Sequence, residues 1–258
     1  MRILILGAGK MGKFFCDLLS FNHDVGIYDY DPLRLRFTYN ARRFGRLDEE
    51  VREFNPEIII NAATVRYTVS AFQSVMPVIS SGAMLSDVAS VKTGLPEFYA
   101  ASGHPYVSTH PMFGPTFASL SNLSNENAII ITESDEEGKR FFRDLYSSLH
   151  LHIEEYSFEQ HDRTIAYSLS VPFASTLAFA GVMEPQDAPG TTFKRHMEIA
   201  RGLLGEDDYL LSEILFNPHT SAQLSRICRR MEELKQIVDA RDPEAMVRYL
   251  NDVRDRIR

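Results

Sequence analysis

The chain has no tryptophan and only two cysteines in 258 residues, Cys16 and Cys228. Two thiols so far apart form neither a disulfide framework nor the close pairs of a zinc site, and they suit a reducing compartment. The eight histidines show no H-E-x-x-H or comparable ligand spacing, so no metal is expected. Positive charge is also scarce: 27 Lys and Arg stand against 35 Asp and Glu, a net charge of −8. Without a basic segment, such a chain has no general attraction for phosphate backbones or anionic lipid, which argues against nucleic acid as a partner. No apolar run approaches the roughly 20 residues that a bilayer crossing needs. At the N-terminus a short apolar run leads into a glycine turn rather than a cleavage site, so it is not read as a signal peptide. The expectation is a soluble, cytoplasmic protein with no membrane partner.

The chain does have enough apolar material, 44%, for a real core, and a length that allows one large domain or two modest ones. Strand-like runs fall at 2–6, 24–28, 57–60, 84–87, 106–109 and 128–132, with helical stretches at 13–20, 67–80 and 135–149 between some of them. That alternation, with near-continuous apolar strands, predicts an α/β domain built on a doubly wound parallel sheet. Beyond about residue 155 helical periodicity takes over. Leu224, Ile227, Met231, Leu234 and Val238 recur at spacings of three and four. Asp242-Pro243-Glu244 reads as an N-cap with proline at the first helical position, opening a helix expected to bury Met246, Leu250, Val253 and Ile257. Two prolines and a glycine break the helical pattern at 184–190. The division expected is a sheet domain over 1–155 and an all-helical domain over 156–258.

Gly7-Ala8-Gly9-Lys10-Met11-Gly12 sits between the first strand and the first helix. Gly7 permits the tight turn, Gly9 lets backbone approach a pyrophosphate, and Gly12 lets helix pack close to strand. The amides at the helix start form an anion site that needs no basic side chain. A bare G-x-G-x-x-G also serves ordinary turns; the flanking strand and helix favour dinucleotide binding and a Rossmann-type domain. Asp29 follows the second strand, where a carboxylate accepts hydrogen bonds from the adenosine ribose and repels a 2′-phosphate, which favours NAD over NADP. The alternative is a turn residue, and Arg34 and Arg36 nearby would soften the discrimination. Asp87-Val88-Ala89-Ser90-Val91-Lys92 lies at another strand's carboxyl end, where small hydroxylic residues face the ligand crevice. His110, ahead of Pro111, Gly114 and Pro115, is expected on a stiff turn after the strand. An imidazole with an ordinary pKa suits a proton acceptor at neutral pH. For His110 the structural and the catalytic readings both stand on these residues alone.

The glycine motif, then D-V-A-S-V-K, then S-T-H-P-M-F-G-P, ahead of a helical second half, resembles the prephenate dehydrogenase family. The resemblance runs from residue 1 to about 220 and is densest at 87–92 and 110–115. It implies NAD-dependent oxidation of prephenate with loss of carbon dioxide, giving 4-hydroxyphenylpyruvate on the route to tyrosine. His110 then matches the acceptor of the ring-hydroxyl proton, and Ser90 the serine between substrate and cofactor. Arg201 matches an arginine that binds a substrate carboxylate, and His161, with Asp162, a pair opening the helical domain and contributing to the substrate site. The resemblance also implies a homodimer formed through the helical half. For a dianionic substrate, an arginine offering two parallel hydrogen bonds is apt on chemical grounds.

One motif departs from the family. Where many relatives carry S-H-L-P-H, this chain has Leu169-Ser170-Val171-Pro172-Phe173, with both histidines replaced. That leaves the choice between prephenate and its amino analogue arogenate open. Two further alternatives are a β-hydroxyacid dehydrogenase, to which H-P-M-F-G-P is foreign, and an NAD-sensing regulator without catalysis.

Overall fold

In a computed structural model the chain is described over residues 1–113 and 122–258. Gly114 and Pro115 of the expected turn therefore lie outside the described residues. The chain forms two compact units, Met1–Asp162 and Arg163–Arg258. The boundary expected at residue 155 falls within the last strand of the sheet, and the units divide after it.

The first unit runs β1 (Arg2–Leu6), α1 (Lys10–Leu19), β2 (Asp24–Tyr28), β3 (Arg42–Phe44), α2 (Glu49–Phe54), β4 (Ile58–Asn61), α3 (Thr68–Val75), β5 (Met84–Asp87), α4 (Leu95–Ser102), β6 (Tyr106–Pro111), β7 (Asn127–Ile131), α5 (Glu136–Ser148) and β8 (His152–Tyr156). It ends within α6 (Phe158–Ile165). One eight-stranded sheet has the order β3-β2-β1-β4-β5-β6-β7-β8. Strand alternation sends side chains to both faces. Ile3 and Ile5 of β1 join a core with Phe15, Leu19, Phe142 and Tyr146, while Leu4 and Leu6 join one with Phe54, Phe72 and Tyr99. Burial on both faces explains why the central strands read as continuous apolar runs.

Three features differ from the sequence expectation. β3 is only three residues of R-R-F on one edge, and β8 at the other edge buries none of its residues, so neither carries an apolar run. β7 pairs antiparallel with β6, which interrupts an otherwise parallel sheet. Finally, β6 does not stop at Thr109. His110 pairs with Ile129 and Pro111 with Ala128, and Met112 N–H donates to the Asn127 carbonyl at 2.8 Å. His110 and Met112 are thus the hydrogen-bonded positions of the ladder, and Pro111 between them would point its missing N–H away from β7. On that other side β5 has already ended, because its Asp87 pairs with Ser108. Proline at this position costs the sheet no hydrogen bond.

The second unit is helical: the end of α6, then α7 (Val171–Gly181), α8 (Thr191–Leu204), α9 (Asp208–Leu215), α10 (Thr220–Ala240) and α11 (Pro243–Arg256). Between α6 and α7 the helix widens to a π turn over Ala166–Ser170. Pro172 follows at once; lacking an N–H and crowding the preceding turn, it accounts for the altered bonding ahead of it. Ser170, fully buried there, donates to the Ile214 carbonyl at 2.8 Å and accepts from Thr220 at 2.9 Å. The expected cap of α11 is present: the Asp242 carboxylate accepts from the Glu244 and Ala245 amides, each at 3.0 Å. The expected burial is not. α11 buries no residue, Leu250 is 39% and Ile257 80% exposed, and Met231 and Val238 of α10 are exposed as well. α11 packs chiefly on α10, which leaves much of its apolar stripe uncovered. One more expectation is corrected. The continuous helical run Phe158–Gly181 spans 24 residues with a window of mean hydropathy 1.2, long and apolar enough by those measures to cross a membrane. Glu159, Asp162 and Arg163 near its start disguise it in the sequence.

Candidate active site

β1, β2, β4, β5 and β6 run parallel, so their carboxyl ends share one edge of the sheet. At β1 that edge carries the glycine turn. Gly7 has φ +96°, a conformation that glycine alone adopts without strain, and its N–H donates to the Tyr28 carbonyl at 2.8 Å. A β-carbon on Gly12 would lie 1.8 Å from the Gly7 carbonyl oxygen, so close helix–strand packing fixes glycine there. Gly9 is different: a β-carbon there would meet nothing within 4 Å. Its backbone faces open ground beside the start of α1, where no side chain caps the helix and no acid sits in the first turn. An approachable backbone beside helix amides fits a pyrophosphate. Lys10 is exposed at that start, and Met11 packs part-buried on the core.

Asp29, directly after β2, is buried, and both its oxygens are engaged. Oδ2 accepts from the Ala8 amide at 2.6 Å and Oδ1 from Asp31 N–H at 2.8 Å. The carboxylate therefore braces the glycine turn directly, and its spare lone pairs remain for ribose hydroxyls.

At β5 and β6 the same edge carries a buried polar cluster. Lys92, 1% exposed, donates to Asp87 Oδ2 and, at 2.7 Å, to the Thr109 carbonyl. Tyr99 donates to Asp87 Oδ1 at 2.7 Å, and Thr109 Oγ1 meets the Tyr146 hydroxyl at 2.8 Å. This network ties the segment after β5 to β6. Ser90, within that segment, is part-buried, with no hydrogen-bond partner among the described residues. The role of Asp87 and Lys92 was not read from the sequence; opposite charges flanking four small or apolar residues after a buried strand were the available signal.

His110, 5% exposed, is next in this arrangement. Its Nδ1 lies 3.0 Å from Nε2 of His161, the rings meeting edge to face, and His161 Nδ1 lies 3.1 Å from Asp162 Oδ1. His110 Nε2 has no partner among the described residues. Burial, then the neighbouring His161 and the Lys92 ammonium, hold the His110 imidazolium pKa well below the ordinary histidine value. Burial also lowers that of His161, against the pull of Asp162. His110 is accordingly a neutral imidazole at neutral pH, able to take a proton. His161 is fully buried, and each of its ring nitrogens already faces a partner. Asp162, named in the sequence only as half of a pair, proves to be that ring's anchor.

From the glycine turn to His110 the sheet steps across β1, β4, β5 and β6, three strand spacings or about 14 Å. Arg201 belongs to the second unit, in the last turn of α8, exposed and without an ion-pair partner among the described residues. Among the described residues no group of three or more His, Cys, Asp or Glu is arranged to hold a metal ion.

Comparison with known proteins supplies the family. The nucleotide-binding domain of prephenate dehydrogenase matches residues 21–152. The probable arogenate/prephenate dehydrogenase of Methanocaldococcus jannaschii is 24% identical over 212 residues, covering 76% of this chain and 47% of that protein. The chain thus spans about half the length of this curated relative. Among solved structures, prephenate dehydrogenase from Aquifex aeolicus, in complex with hydroxyphenyl propionate and NAD+, shares the fold with TM-score 0.84 at 21% identity, over 99% of this chain and 96% of that one. Synechocystis arogenate dehydrogenase does so with TM-score 0.72 at 18% identity, over the whole of both chains. At such identities these structures speak for the fold, while the match over residues 21–152 takes in half of the chain, including Asp29, Ser90 and His110. The chain belongs to the prephenate dehydrogenase family.

Proposed function

We propose that the chain is an NAD-dependent dehydrogenase that oxidises prephenate, with loss of its ring carboxylate, to 4-hydroxyphenylpyruvate. The observation that carries this reading is a buried, neutral His110 whose Nε2 is left open at the carboxyl edge of a dinucleotide-type sheet. NAD, when bound, supplies the hydride acceptor. Gly7, Ala8, Gly9, Lys10, Met11 and Gly12 offer it backbone at the helix start, and Asp29 offers a carboxylate that disfavours a 2′-phosphate. His110 accepts the proton of the ring hydroxyl at Nε2, as general base. Ser90, with its hydroxyl uncommitted among the described residues, orients that hydroxyl from the segment after β5. Arg201 binds a substrate carboxylate through its planar fork. Formation of an aromatic ring as carbon dioxide leaves supplies the driving force, so the chemistry needs no Lewis acid on the oxygen.

A second reading keeps the mechanism and changes the substrate to arogenate. Phe173, which stands where many relatives have histidine, offers no polar group to the substrate's side chain, and both names occur among the relatives. The test is to incubate the protein with NAD and each acid and follow the absorbance of reduced nicotinamide. Reduction with prephenate, or with arogenate, selects between the readings. No reduction with either acid, alongside measurable NAD binding, would sink both in favour of an NAD sensor; turnover of a β-hydroxyacid instead would favour that family's chemistry. We further read the enzyme as cytosolic, in keeping with its two distant thiols, and as homodimeric, on the strength of apolar side chains exposed on the helical unit such as Leu204, Phe216, Met231 and Val238. Sedimentation of a monomer at working concentration would remove the dimer from this reading.

A further inference from the structure

Resting on the reading of His110 as proton acceptor, we infer that His161 and Asp162 are positioning residues that fix the tautomer of His110, leaving its lone pair on Nε2. The argument follows the two contacts outward from the carboxylate. Asp162 as a carboxylate only accepts hydrogen bonds, so its 3.1 Å contact requires a proton on His161 Nδ1. A neutral His161 protonated at Nδ1 has its lone pair on Nε2. The 3.0 Å contact between that atom and His110 Nδ1 then requires the proton to sit on His110 Nδ1. The opposite arrangement would set a bare ring nitrogen against a carboxylate. The ring of His110 is thereby oriented as well as protonated on one side, since its strand fixes the backbone and His161 fixes the edge.

Among the described residues, three charged groups bear on the two rings. Lys92 faces both from the segment after β5, and Asp162 and, more distantly, Asp87 face His161. Lys92 opposes protonation of His110, while the hydrogen-bonded chain to Asp162 gives the arriving positive charge a negative group two bonds away. That balance allows a base that is empty at neutral pH and still accepts a proton from a bound hydroxyl.

Histidine tautomers are read directly by long-range proton–nitrogen correlation on the 15N-labelled full chain at pH 8, with His110→Asn used to assign the signal. The expected spectrum has His110 protonated at Nδ1 and bare at Nε2. A wild-type signal protonated at Nε2 would overturn the inference, whatever the variants do. Asp162→Asn presents an amide that can donate to His161 and reverse the chain, so it should convert His110 to the other tautomer. It should also lower kcat by about 10²-fold and leave KM within a few-fold, since loss of an orienting carboxylate acts on the base rather than on binding. Asp162→Glu should restore part of kcat and the Nδ1–H signal. His161→Leu should lower kcat comparably and shift the acid limb of kcat/KM. Unchanged kcat and an unchanged His110 signal in folded Asp162→Asn, with NAD binding by calorimetry intact, would equally sink it. Should neither acid be oxidised while the wild-type spectrum is as expected, the proposed function fails and the tautomer assignment stands.

Discussion

His110 combines three conditions on one side chain: strand pairing, burial and a single open nitrogen. Replacing it with asparagine keeps size and polarity but removes the base, so turnover should fall about 10²–10⁴-fold, with NAD binding unchanged by calorimetry. Because its pKa is held well below the ordinary histidine value, the acid limb of kcat/KM in the wild type should lie below pH 6.5. A limb centred above pH 7 would mean that another group is titrating. Arg201 differs in kind. It is exposed and unpaired among the described residues, so Arg201→Ala should leave stability alone and raise KM about 10- to 100-fold, the worth of a charge-assisted hydrogen bond. An unchanged KM would assign the carboxylate to another cation. How legible these residues were differs with their sequence separation. Gly7 and Gly12 were readable because their constraints are local to a turn, whereas the meeting of His110 with His161 spans 51 positions and depends on where α6 starts. The bond from the Ala8 amide to Asp29 was not legible, since nothing in the motif says where a carboxylate's lone pairs are used.

At the scale of elements, local signals survived and edge signals did not. The α11 start was legible because Asp-Pro-Glu specifies its own cap. Asp242→Ala, which deletes two amide contacts, should cost about 1 kcal/mol in chemical denaturation. Of the edge strands, β8 buries no residue and β3 buries only Phe44, too little for an apolar run, and hydrophobic pattern follows burial rather than pairing. Pro111, which the sequence puts on a turn, sits inside a strand at a position without a needed N–H, and Pro172 leaves the helix continuous through a π turn. That π turn carries Ser170, whose hydroxyl joins Ile214 and Thr220. Ser170→Ala should therefore cost about 1–3 kcal/mol by stranding the buried Thr220 hydroxyl. A loss below a few tenths would mean that Thr220 finds another acceptor.

For the whole molecule, the two buried imidazoles link stability to pH. Both have folded pKa values below the unfolded 6.5, so the unfolded chain takes up their protons first. Their contribution is complete above pH 6.5 and is lost as pH falls towards the depressed values, at about 1.4 kcal/mol per pH unit for each group. Urea midpoints should therefore drop between pH 7 and pH 5, and the His110→Asn, His161→Asn double variant should flatten that slope. The pairing of His110 on β6 also sets the timescale on which the site is rebuilt. Its amide lies within a ladder in the middle of a continuous sheet, so deuterium should enter there only when the whole first unit opens. The machinery for proton abstraction then has no low-energy frayed form of its own. On slow heating, activity should follow the folded fraction up to the unfolding transition, with no earlier phase of inactivation.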